Sequence, residues 1–466
     1  MRIRVSNELV VEEPTAELTK WCEKNLIIQN PEYTKKARMG FSVYGVPKRI
    51  SLYEIRGQTL VLPYGTLQTL PLNIVLDAEV VNEFAEAVQI EYEGQVPLYD
   101  YQEEAVDALV KAKGGILQSL PGSGKTQMGI ALAKRFGVRT LWLCHTLDLI
   151  NQSRERAKLY YPDEIMGTIS EGKVELGTGI TFATVQTMSK ISLSAYRDYW
   201  DLIIVDEVHR VSGSPSTMTQ YRKVLSNLSA RHKYGLSATV HRADGLIQAT
   251  YALIGGIAYK VPDEAVADKI IKVGVCTVGT GVTLSRDMVN TDGTLNYTKM
   301  ISSLVENDAR NKIILNKISK NRGNSCLILS DRLNHLESLM FSLPLDMRKE
   351  AVMISGRMGS KKGKEEREKA LNEMRKGDKK YLFATYSLCK EGLDIPRLNR
   401  LFLTTPINDY AVCVQSIGRI ARVHCDKREA IAYDFVDDFQ YSVKSYKKRC
   451  TNYRKAGVYF CDEHTE

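Results

Sequence analysis

Residues 116–126 read ILQSLPGSGKT, and this stretch predicts a buried strand, a glycine-rich turn and the start of a helix. Gly122 and Gly124 allow the backbone to curl tightly with its N–H groups facing inward. The helix that opens at Thr126 points the positive end of its dipole at whatever occupies the curl. A plain surface turn would leave Lys125 and Thr126 unexplained. The stretch therefore predicts a phosphate-binding loop.

The turn also predicts a nucleotide site with a metal ion. It fits the Walker A pattern, with Ser119 where the pattern has its first glycine. In that pattern Lys125 is the catalytic cation on the phosphates, and the Thr126 hydroxyl binds Mg²⁺. We therefore expect ATP and Mg²⁺ as cofactors. The loop residues expected to bind ATP are Leu120, Pro121, Gly122, Ser123, Gly124, Lys125 and Thr126.

The composition is that of a globular chain with more than one core. Its 466 residues are 44% hydrophobic and 26% charged, which is enough for two or three domains. No apolar run approaches a membrane span, and the N-terminus lacks a signal-peptide core. The nine cysteines form no CxxC pair. Reduced thiols and a cytoplasmic location are expected (a bacterial host cell if a phage encodes the chain), and a zinc site is not.

Basic charge is unevenly distributed along the chain. The net charge is +9, yet residues 57–110 contain no Lys or Arg, whereas 441–455 carry only basic charges with tyrosines between them. Such a surplus predicts a polyanionic partner, with nucleic acid first, although a solvated helix face is the alternative. A second cluster surrounds Phe41 and Tyr44 and is either an accessory nucleic-acid contact or an ordinary domain surface. Its basic residues are Lys35, Lys36, Arg38, Lys48 and Arg49.

Alternating strand and helix patterns divide the chain into four parts. Residues 1–95 resemble a small mixed α+β domain with short strands. Residues 96–262 and 263–440 each contain short apolar runs that end in small or polar residues, as strands of a buried parallel sheet do. Residues 441–466 read as a basic tail. The predicted fold class is α/β, with two tandem parallel-sheet domains of which only the first carries a nucleotide loop.

An acidic pair follows one of the predicted strands. DLIIVD (201–206) runs directly into Glu207. Asp206 is expected to hold the Mg²⁺ that Thr126 also binds, and Glu207 to accept the proton of the attacking water as general base. A surface acidic turn is the alternative, but the apolar run places both carboxylates at the carboxyl edge of the sheet.

Two further groups of polar residues are expected to complete the site. Ser237 and Thr239 end the following strand, where their hydroxyls can hydrogen-bond His209 or Asp206. In the second α/β part, QSIGRIAR (415–422) begins inside a predicted helix. Arg419 and Arg422 are three residues apart and would share one helix face. Arginines on the transferred phosphate would accelerate hydrolysis, and two ordinary surface arginines are the alternative.

Taken in order, these motifs resemble the core of the superfamily 2 helicases over about residues 97–440. The resemblance implies two RecA-like domains and places Gln102 at the adenine. The matching stretches are LYDYQ (98–102, Q motif), SLPGSGKT (119–126, motif I), HTLDLINQ (145–152, Ia), FATVQTM (182–188, Ib), DEVH (206–209, II), GLSAT (235–239, III), ATYSLCKEGLDIP (384–396, V) and QSIGRIAR (415–422, VI).

One segment narrows the resemblance. GLSATVHRADGL (235–246) is similar to the stretch of XPB-like and UvsW-like phage branch-migration helicases that carries Arg-Glu-Asp after motif III. Here it reads Arg242-Ala243-Asp244, so the role of the central glutamate does not carry over. The resemblance implies a DNA helicase or translocase on duplex or branched DNA, in recombination, replication or repair, moving 3′ to 5′.

The resemblance also implies how the parts cooperate. ATP would sit between the two α/β domains and nucleic acid on the opposite face, where phosphate contacts are sequence-indifferent and salt-sensitive. Gly392 and Asp394 of motif V would contact ATP and couple the two sites. The expected coupling residues are His209, Ser237, Thr239 and Gln415. The expected nucleic-acid contacts are Thr146, Thr184, Gln186, Ser355 and Thr385.

Three alternatives stay open at this point. One is an RNA-dependent ATPase of the same superfamily. Another is the translocase subunit of a restriction-type system, which would need its nuclease on a separate subunit. The third is a nucleotide-gated binding protein without motor action. A monomer that acts on DNA is expected, with replication or recombination proteins as further partners and no membrane contact.

Overall fold

The computed structural model describes residues 1–212, 214–238, 246–266, 271–355, 361–390, 393–407, 409–455 and 457–461. Within these residues the chain forms two compact units. The first comprises Met1–Leu120 and Gly124–Ala265, and the second Val266–Glu466 with Pro121–Ser123. No helix in the described part combines the length and apolar character that crossing a membrane requires.

The first unit begins with short strands and helices. The strands are β1 (Arg2–Val5), β2 (Glu8–Glu12), β3 (Ile27–Gln29), β4 (Arg49–Ser51), β5 (Glu54–Arg56), β6 (Thr59–Pro63) and β7 (Glu79–Asn82). The helices are α1 (Ala16–Asn25), α2 (Pro31–Arg38) and α3 (Leu72–Leu76). A sheet runs in the order β5-β6-β2-β1-β7, and β3 pairs separately with β4. Alternating burial along β2 turns Leu9 and Val11 into the core, which is why this stretch is a half-buried strand.

A mostly parallel sheet forms the rest of the first unit. Its strands are β8 (Gly115–Gln118), β9 (Thr140–Cys144), β10 (Met166–Ser170), β11 (Lys173–Glu175), β12 (Ile180–Thr184), β13 (Leu202–Asp206), β14 (His232–Ser237) and β15 (Ile257–Lys260). Its helices are α4 (Asp100–Ala112), α5 (Lys125–Phe136), α6 (Leu147–Ala157), α7 (Val185–Met188), α8 (Pro215–Leu225) and α9 (Ile247–Ile254), with α10 (Asp263–Val266) at the boundary. The strand order is β11-β10-β12-β9-β13-β14-β8-β15.

The parallel direction of the strands places the loops that follow β8, β13 and β14 at the same edge of this sheet. Every pair except β10–β11 is parallel, so β8, β13 and β14 end at the same edge. Strand β13 is a continuous apolar run up to Asp206, as expected for a strand covered on both faces. The polar residues that follow these three strands therefore lie at one edge of the sheet.

The second unit is built around another parallel sheet. Its strands are β16 (Val273–Gly279), β17 (Cys326–Ser330), β18 (Ala351–Met353), β19 (Tyr381–Thr385), β20 (Arg400–Leu403), β21 (Ala430–Val436) and β22 (Tyr459–Cys461). Its helices are α11 (Tyr297–Glu306), α12 (Asp308–Lys320), α13 (Leu333–Phe341), α14 (Leu345–Lys349), α15 (Lys361–Lys376), α16 (Tyr386–Lys390), α17 (Tyr410–Ile420) and α18 (Gln440–Lys455). The strand order is β18-β19-β17-β20-β21-β16-β22.

The predicted α/β class with a small mixed N-terminal region is confirmed, but the C-terminal segment differs from a solvated tail. It forms α18 and β22, and β22 pairs in parallel with β16. Arg449 of α18 is buried and forms a salt bridge with Asp434 of β21, whose carboxylate also accepts a hydrogen bond from Tyr453 Oη at 2.8 Å. The basic run thus supplies a structural cation, because the buried carboxylate requires one.

Candidate active site

The glycine-rich loop joins β8 to α5 in the conformation that its glycines permit. Gly122 and Gly124 have φ angles of 87° and 83°, in the left-handed region. A Cβ on Gly124 would lie 2.4 Å from Nε2 of Gln102, so a larger residue would displace that amide as well as strain the backbone. The turn therefore packs directly on α4, which carries Gln102.

Lys125 is the first residue of α5 and its ammonium group turns back to the end of β8. Nζ donates to the carbonyl oxygens of Ser119 and Leu120, at 3.1 Å each. Charged oxygens accept stronger hydrogen bonds from an ammonium group than carbonyls do. A phosphate oxygen could therefore replace either carbonyl at the mouth of the loop. Thr126 follows as a partly exposed residue of the same helix turn.

Gln102 is buried beside the loop, and its amide already has protein partners. Oε1 accepts a hydrogen bond from the backbone N–H of Tyr99 at 3.0 Å, which closes the N-terminus of α4. Nε2 lies 3.3 Å from Tyr101 Oη. This arrangement fixes the amide next to Gly124. The adenine contact that the resemblance implies stays a prediction.

Asp206 ends β13 as a buried carboxylate surrounded by neutral donors. Oδ1 accepts from the Glu207 backbone N–H at 2.9 Å, and Oδ2 accepts from Ser153 Oγ at 3.3 Å. Burial raises the pKa of Asp206, the neighbouring Glu207 carboxylate raises it further, and Lys125 acts in the opposite direction. Ser153 was not predicted, because a serine within an amphipathic helix carries no sequence signal.

Glu207 and His209 connect this carboxylate to the neighbouring strand. Glu207 has a φ of 49°, a left-handed conformation that costs a non-glycine residue about 1–3 kcal/mol. Its Oε2 lies 3.2 Å from His209 Nδ1, and that nitrogen lies 3.0 Å from Ser237 Oγ. The Ser119 N–H donates to the Ser237 carbonyl at 3.1 Å. The His209–Ser237 and Ser119–Ser237 hydrogen bonds thus join the ends of β8 and β14 to the turn that follows β13.

The donor set at this edge fits a magnesium ion. Thr126 offers a hydroxyl oxygen and Asp206 a carboxylate, the hard oxygen ligands that Mg²⁺ prefers. The hydrogen bonds that Asp206 accepts from Ser153 and from the Glu207 backbone are neutral, and a cation in addition to the nearby Lys125 would stabilise the buried carboxylate further.

Arg419 and Arg422 lie in different local settings in the second unit. The sequence predicts that they share a helix face, but α17 ends at Ile420, so Arg422 follows the helix rather than belonging to it. Arg419 donates from Nε to the carbonyl of Cys389 at 3.2 Å and from Nη1 to that of Leu393 at 3.1 Å. Arg419 is therefore held against the segment of motif V.

The structure brings Arg422 and Asp394 together as an ion pair. Arg375 Nε donates to the Asp394 carbonyl at 2.9 Å, and Lys427 Nζ donates to the Arg422 carbonyl at 2.8 Å. Burial lowers the pKa of Lys427 to about 7, with Arg422 adding to the effect. Gln415 is buried within α17. Motifs V and VI therefore form one polar network.

The predicted nucleic-acid residues near the first sheet have mixed settings. Thr146 caps α6, accepting from the Leu149 N–H at 3.4 Å, and Gln186 Nε2 donates to the His145 carbonyl at 2.7 Å. Both side chains are partly exposed, whereas Thr184 is buried. Thr146 and Gln186 are therefore the more accessible candidates in this unit.

The second unit offers a similar contrast. Ser355 is buried, while Thr385 is partly exposed, with its Oγ1 2.9 Å from Ser387 Oγ. Three predicted features lie outside the described residues, namely Thr239, Gly392 and the stretch 242–244.

A glycine-rich loop, an acidic strand end and a second parallel-sheet unit are the parts expected of an ATP-hydrolysing enzyme. Residues 95–242 match the family described as the res subunit of type III restriction enzymes, and residues 309–424 match the helicase conserved C-terminal domain. The chain belongs to the superfamily 2 helicases, which are ATP-hydrolysing enzymes.

Relatives agree with this membership. A putative ATP-dependent RNA helicase of Acanthamoeba polyphaga mimivirus is 28% identical over 390 residues, covering 81% of this chain and 71% of that protein. The DNA 3′-5′ translocase XPB2 of Sulfurisphaera tokodaii is 35% identical over 178 residues, 38% of each chain. A fragment of a putative HsdR subunit from Vibrio vulnificus shares the fold, with 18% identity, 79% and 68% coverage of the two chains, and a TM-score of 0.56.

Proposed function

We propose that this helicase is an ATP-dependent DNA helicase or translocase that acts on duplex or branched DNA during recombination, replication or repair. The observation that carries the motor function is the contact of His209 with both Glu207 and Ser237, at 3.2 and 3.0 Å. This contact links Glu207, the proposed general base, to Ser237 at the end of β14. A change at the nucleotide can therefore alter the position of β14. The XPB2 translocase among the relatives favours DNA.

Each residue at the sheet edge has a proposed task. Lys125 and the loop amides bind the ATP phosphates, and the Glu207 carboxylate accepts a proton from the attacking water. Thr126 and Asp206 would hold Mg²⁺, which would offset the negative charge of the phosphates. His209 Nδ1 lies 3.2 Å from the Glu207 carboxylate, and its proposed task is to orient that carboxylate. The ATP site thus combines phosphate binding with a positioned base.

Arg419 and Arg422 are proposed to supply positive charge to the transferred phosphate. Backbone carbonyls hold Arg419 and the Asp394 carboxylate holds Arg422, and a phosphate oxygen accepts a charge-assisted hydrogen bond from a guanidinium group more strongly than a carbonyl does. Gly392, Asp394 and Gln415 would transmit the nucleotide state to the nucleic acid. The nucleic-acid contacts proposed for the motor are Thr146, Thr184, Gln186, Ser355 and Thr385.

Two alternatives within the superfamily have observations in their favour. The mimivirus relative is named an RNA helicase, which favours an RNA-dependent ATPase. The family matched by residues 95–242 is described as a restriction-enzyme subunit, which favours a translocase that works with a nuclease.

ATP hydrolysis measured with different polynucleotides tests the proposal. Steady-state phosphate release is compared with single-stranded, duplex, forked and four-way DNA, and with the RNA equivalents. We expect DNA to stimulate hydrolysis more than RNA does, forked or four-way DNA to be unwound or migrated, and stimulation to fall as salt rises. Stronger stimulation by RNA would select the RNA alternative. Stimulation by duplex DNA with neither unwinding nor branch migration of forked or four-way DNA would favour the restriction-type translocase.

A further inference from the structure

Residues 30–51, named here the basic ribbon segment, form a helix, a loop and a strand in the N-terminal part of the first unit. The segment contains α2, a loop and β4, and β4 returns to pair with β3. Asn30 closes its base, because the Asn30 N–H donates to the Lys48 carbonyl at 3.1 Å and Nδ2 donates to the Pro47 carbonyl at 2.9 Å. Its Oδ1 accepts from the Glu32 N–H at 3.0 Å. The segment therefore has a defined shape.

This defined shape displays aromatic rings to solvent. Tyr44 is 97% exposed and Phe41 is 61% exposed, and helix α2 buries none of its side chains. The loop is nevertheless held in place, since the Phe41 N–H donates to the Lys36 carbonyl at 2.9 Å. Rings so exposed add little to the hydrophobic stability of the fold. They are available to stack on a flat partner.

Charge in the N-terminal part is segregated onto the same segment. Residues 30–51 contain five basic side chains and one acidic one, whereas the remaining residues of 1–95 contain five basic and twelve acidic ones. Lys36 pairs with Glu32 at 2.9 Å. The other four basic residues are exposed, and no carboxylate among the described residues forms a salt bridge with them. They are Lys35, Arg38, Lys48 and Arg49.

We propose that the basic ribbon segment binds single-stranded nucleic acid, with its basic side chains on the phosphates and Tyr44 and Phe41 stacked on bases. Every base offers a flat face to an aromatic ring once it is unpaired. The inference rests on the proposed function and deepens it, because it names the substrate as one with unpaired bases, such as a fork. An acidic protein surface would match the cations but would leave the exposed rings without a purpose.

The first test removes the rings from the full-length protein. Fluorescence anisotropy measures the affinity for a labelled single strand and for a blunt duplex. We expect Phe41→Ala/Tyr44→Ala to weaken single-strand binding by about 10-fold or more, since stacking contributes about 1–3 kcal/mol per base. Duplex binding should change much less. The Tyr44→Trp variant should retain single-strand binding, and Leu72→Ala/Leu76→Ala is the control for loss of exposed apolar side chains.

The second test removes charge. Lys48→Gln/Arg49→Gln should reduce the slope of log affinity against log salt by about 1.4 for a single strand, about 0.7 per lost phosphate contact. Lys20→Gln/Lys24→Gln removes the same charge from exposed positions of α1 and should leave the slope near the wild-type value. Because all these side chains are exposed, we expect the circular dichroism of each variant to match the wild type.

The outcomes separate this inference from the proposed function. The inference would be overturned if Phe41→Ala/Tyr44→Ala kept the wild-type affinity and Lys48→Gln/Arg49→Gln kept the wild-type affinity and salt slope. Loss of affinity in the charge variant alone would overturn the stacking part. An acidic peptide that competes with the strand, together with unaltered binding by the ring variant, would assign the segment to a protein partner instead. Failure of the proposed function would appear independently, as hydrolysis that no polynucleotide stimulates while the segment still binds strands.

Discussion

Each of the two large sheets contains a buried aspartate, and the two aspartates have different hydrogen-bond partners. Asp206, at the end of β13 in the first unit, accepts hydrogen bonds from Ser153 and from the Glu207 backbone, and burial raises its pKa. Asp434, in β21 of the second unit, accepts two guanidinium hydrogen bonds from Arg449, at 2.8 and 2.9 Å. One carboxylate thus has neutral donors and the other a buried cation.

A second pair strengthens this contrast. Asp437 is buried just after β21 and accepts from Arg310 Nε at 2.7 Å. Among the described residues, no arginine or lysine forms a salt bridge with Asp206. The positive charge of Lys125 is close enough to lower the pKa of Asp206. A carboxylate that already has a buried cation is structural, whereas one that lacks it can accept a metal ion. This difference supports the proposal that Asp206 is a metal ligand, whereas Asp434 and Asp437 stabilise the fold.

Removing the loop cation should have the largest effect. Lys125→Ala should reduce ATP hydrolysis to the background rate, because the phosphates lose their only charged donor from the loop residues 119–126. Phosphate release at saturating polynucleotide measures this, with exposed Lys111→Ala as the matched control. Normal turnover by Lys125→Ala would remove the loop from the mechanism.

Neutralising the general base should come next. Glu207→Gln should slow hydrolysis by about 10³-fold while retaining ATP, since the amide keeps the shape of the side chain but accepts no proton. Single-turnover hydrolysis and filter binding of ATP separate these effects. Exposed Glu175→Gln is the control. Rapid hydrolysis by Glu207→Gln would exclude the assignment.

Breaking the Arg449–Asp434 salt bridge in the second unit should lower the stability of the fold. Arg449→Met should lower the free energy of unfolding by about 3 kcal/mol, because it leaves the Asp434 charge buried without its cation. Urea denaturation measures the loss, and exposed Lys448→Met is the control. The Asp434→Asn/Arg449→Met protein should recover part of it. Unchanged stability in Arg449→Met would refute the structural role of the pair.

The smallest effect should come from the hydroxyl behind Asp206. Ser153→Ala should raise the Mg²⁺ concentration needed for half-maximal hydrolysis by about 10-fold, since the hydrogen bond from Ser153 orients the Asp206 carboxylate that is proposed to bind the ion. Hydrolysis titrated with Mg²⁺ measures this. The same change at Ser192, on the exposed surface, should have no effect. An unaltered Mg²⁺ requirement in Ser153→Ala would place the ion elsewhere.

The local parts of the site were predictable from sequence. The glycines, Lys125 and Thr126 of the loop lie within a few residues of one another. The hydrophobic run in DLIIVD predicts a buried strand that ends at Asp206. The succession of strands and helices along the chain followed from alternating apolar segments, whereas the order of the strands within each sheet did not. These features need only neighbouring residues, so sequence patterns contain them.

Features that join distant residues were not predictable. Ser153 reaches Asp206 from another helix, and Arg310 pairs with Asp437 across 127 positions of the chain. The basic C-terminal run read as an exposed surface because nothing near it in sequence indicates that Asp434 lies against Arg449. Arg422 does not share a helix face with Arg419, because α17 ends two residues before Arg422.

The most direct test of the account follows ATP hydrolysis as forked DNA is titrated against the wild-type protein, Arg419→Ala and the exposed control Arg428→Ala. The account predicts a saturable rise in rate for the wild type and the control, and no rise for Arg419→Ala. Full stimulation of Arg419→Ala, or a wild-type rate that DNA leaves unchanged, would contradict the claim that nucleic acid drives hydrolysis completed by an arginine of the second unit.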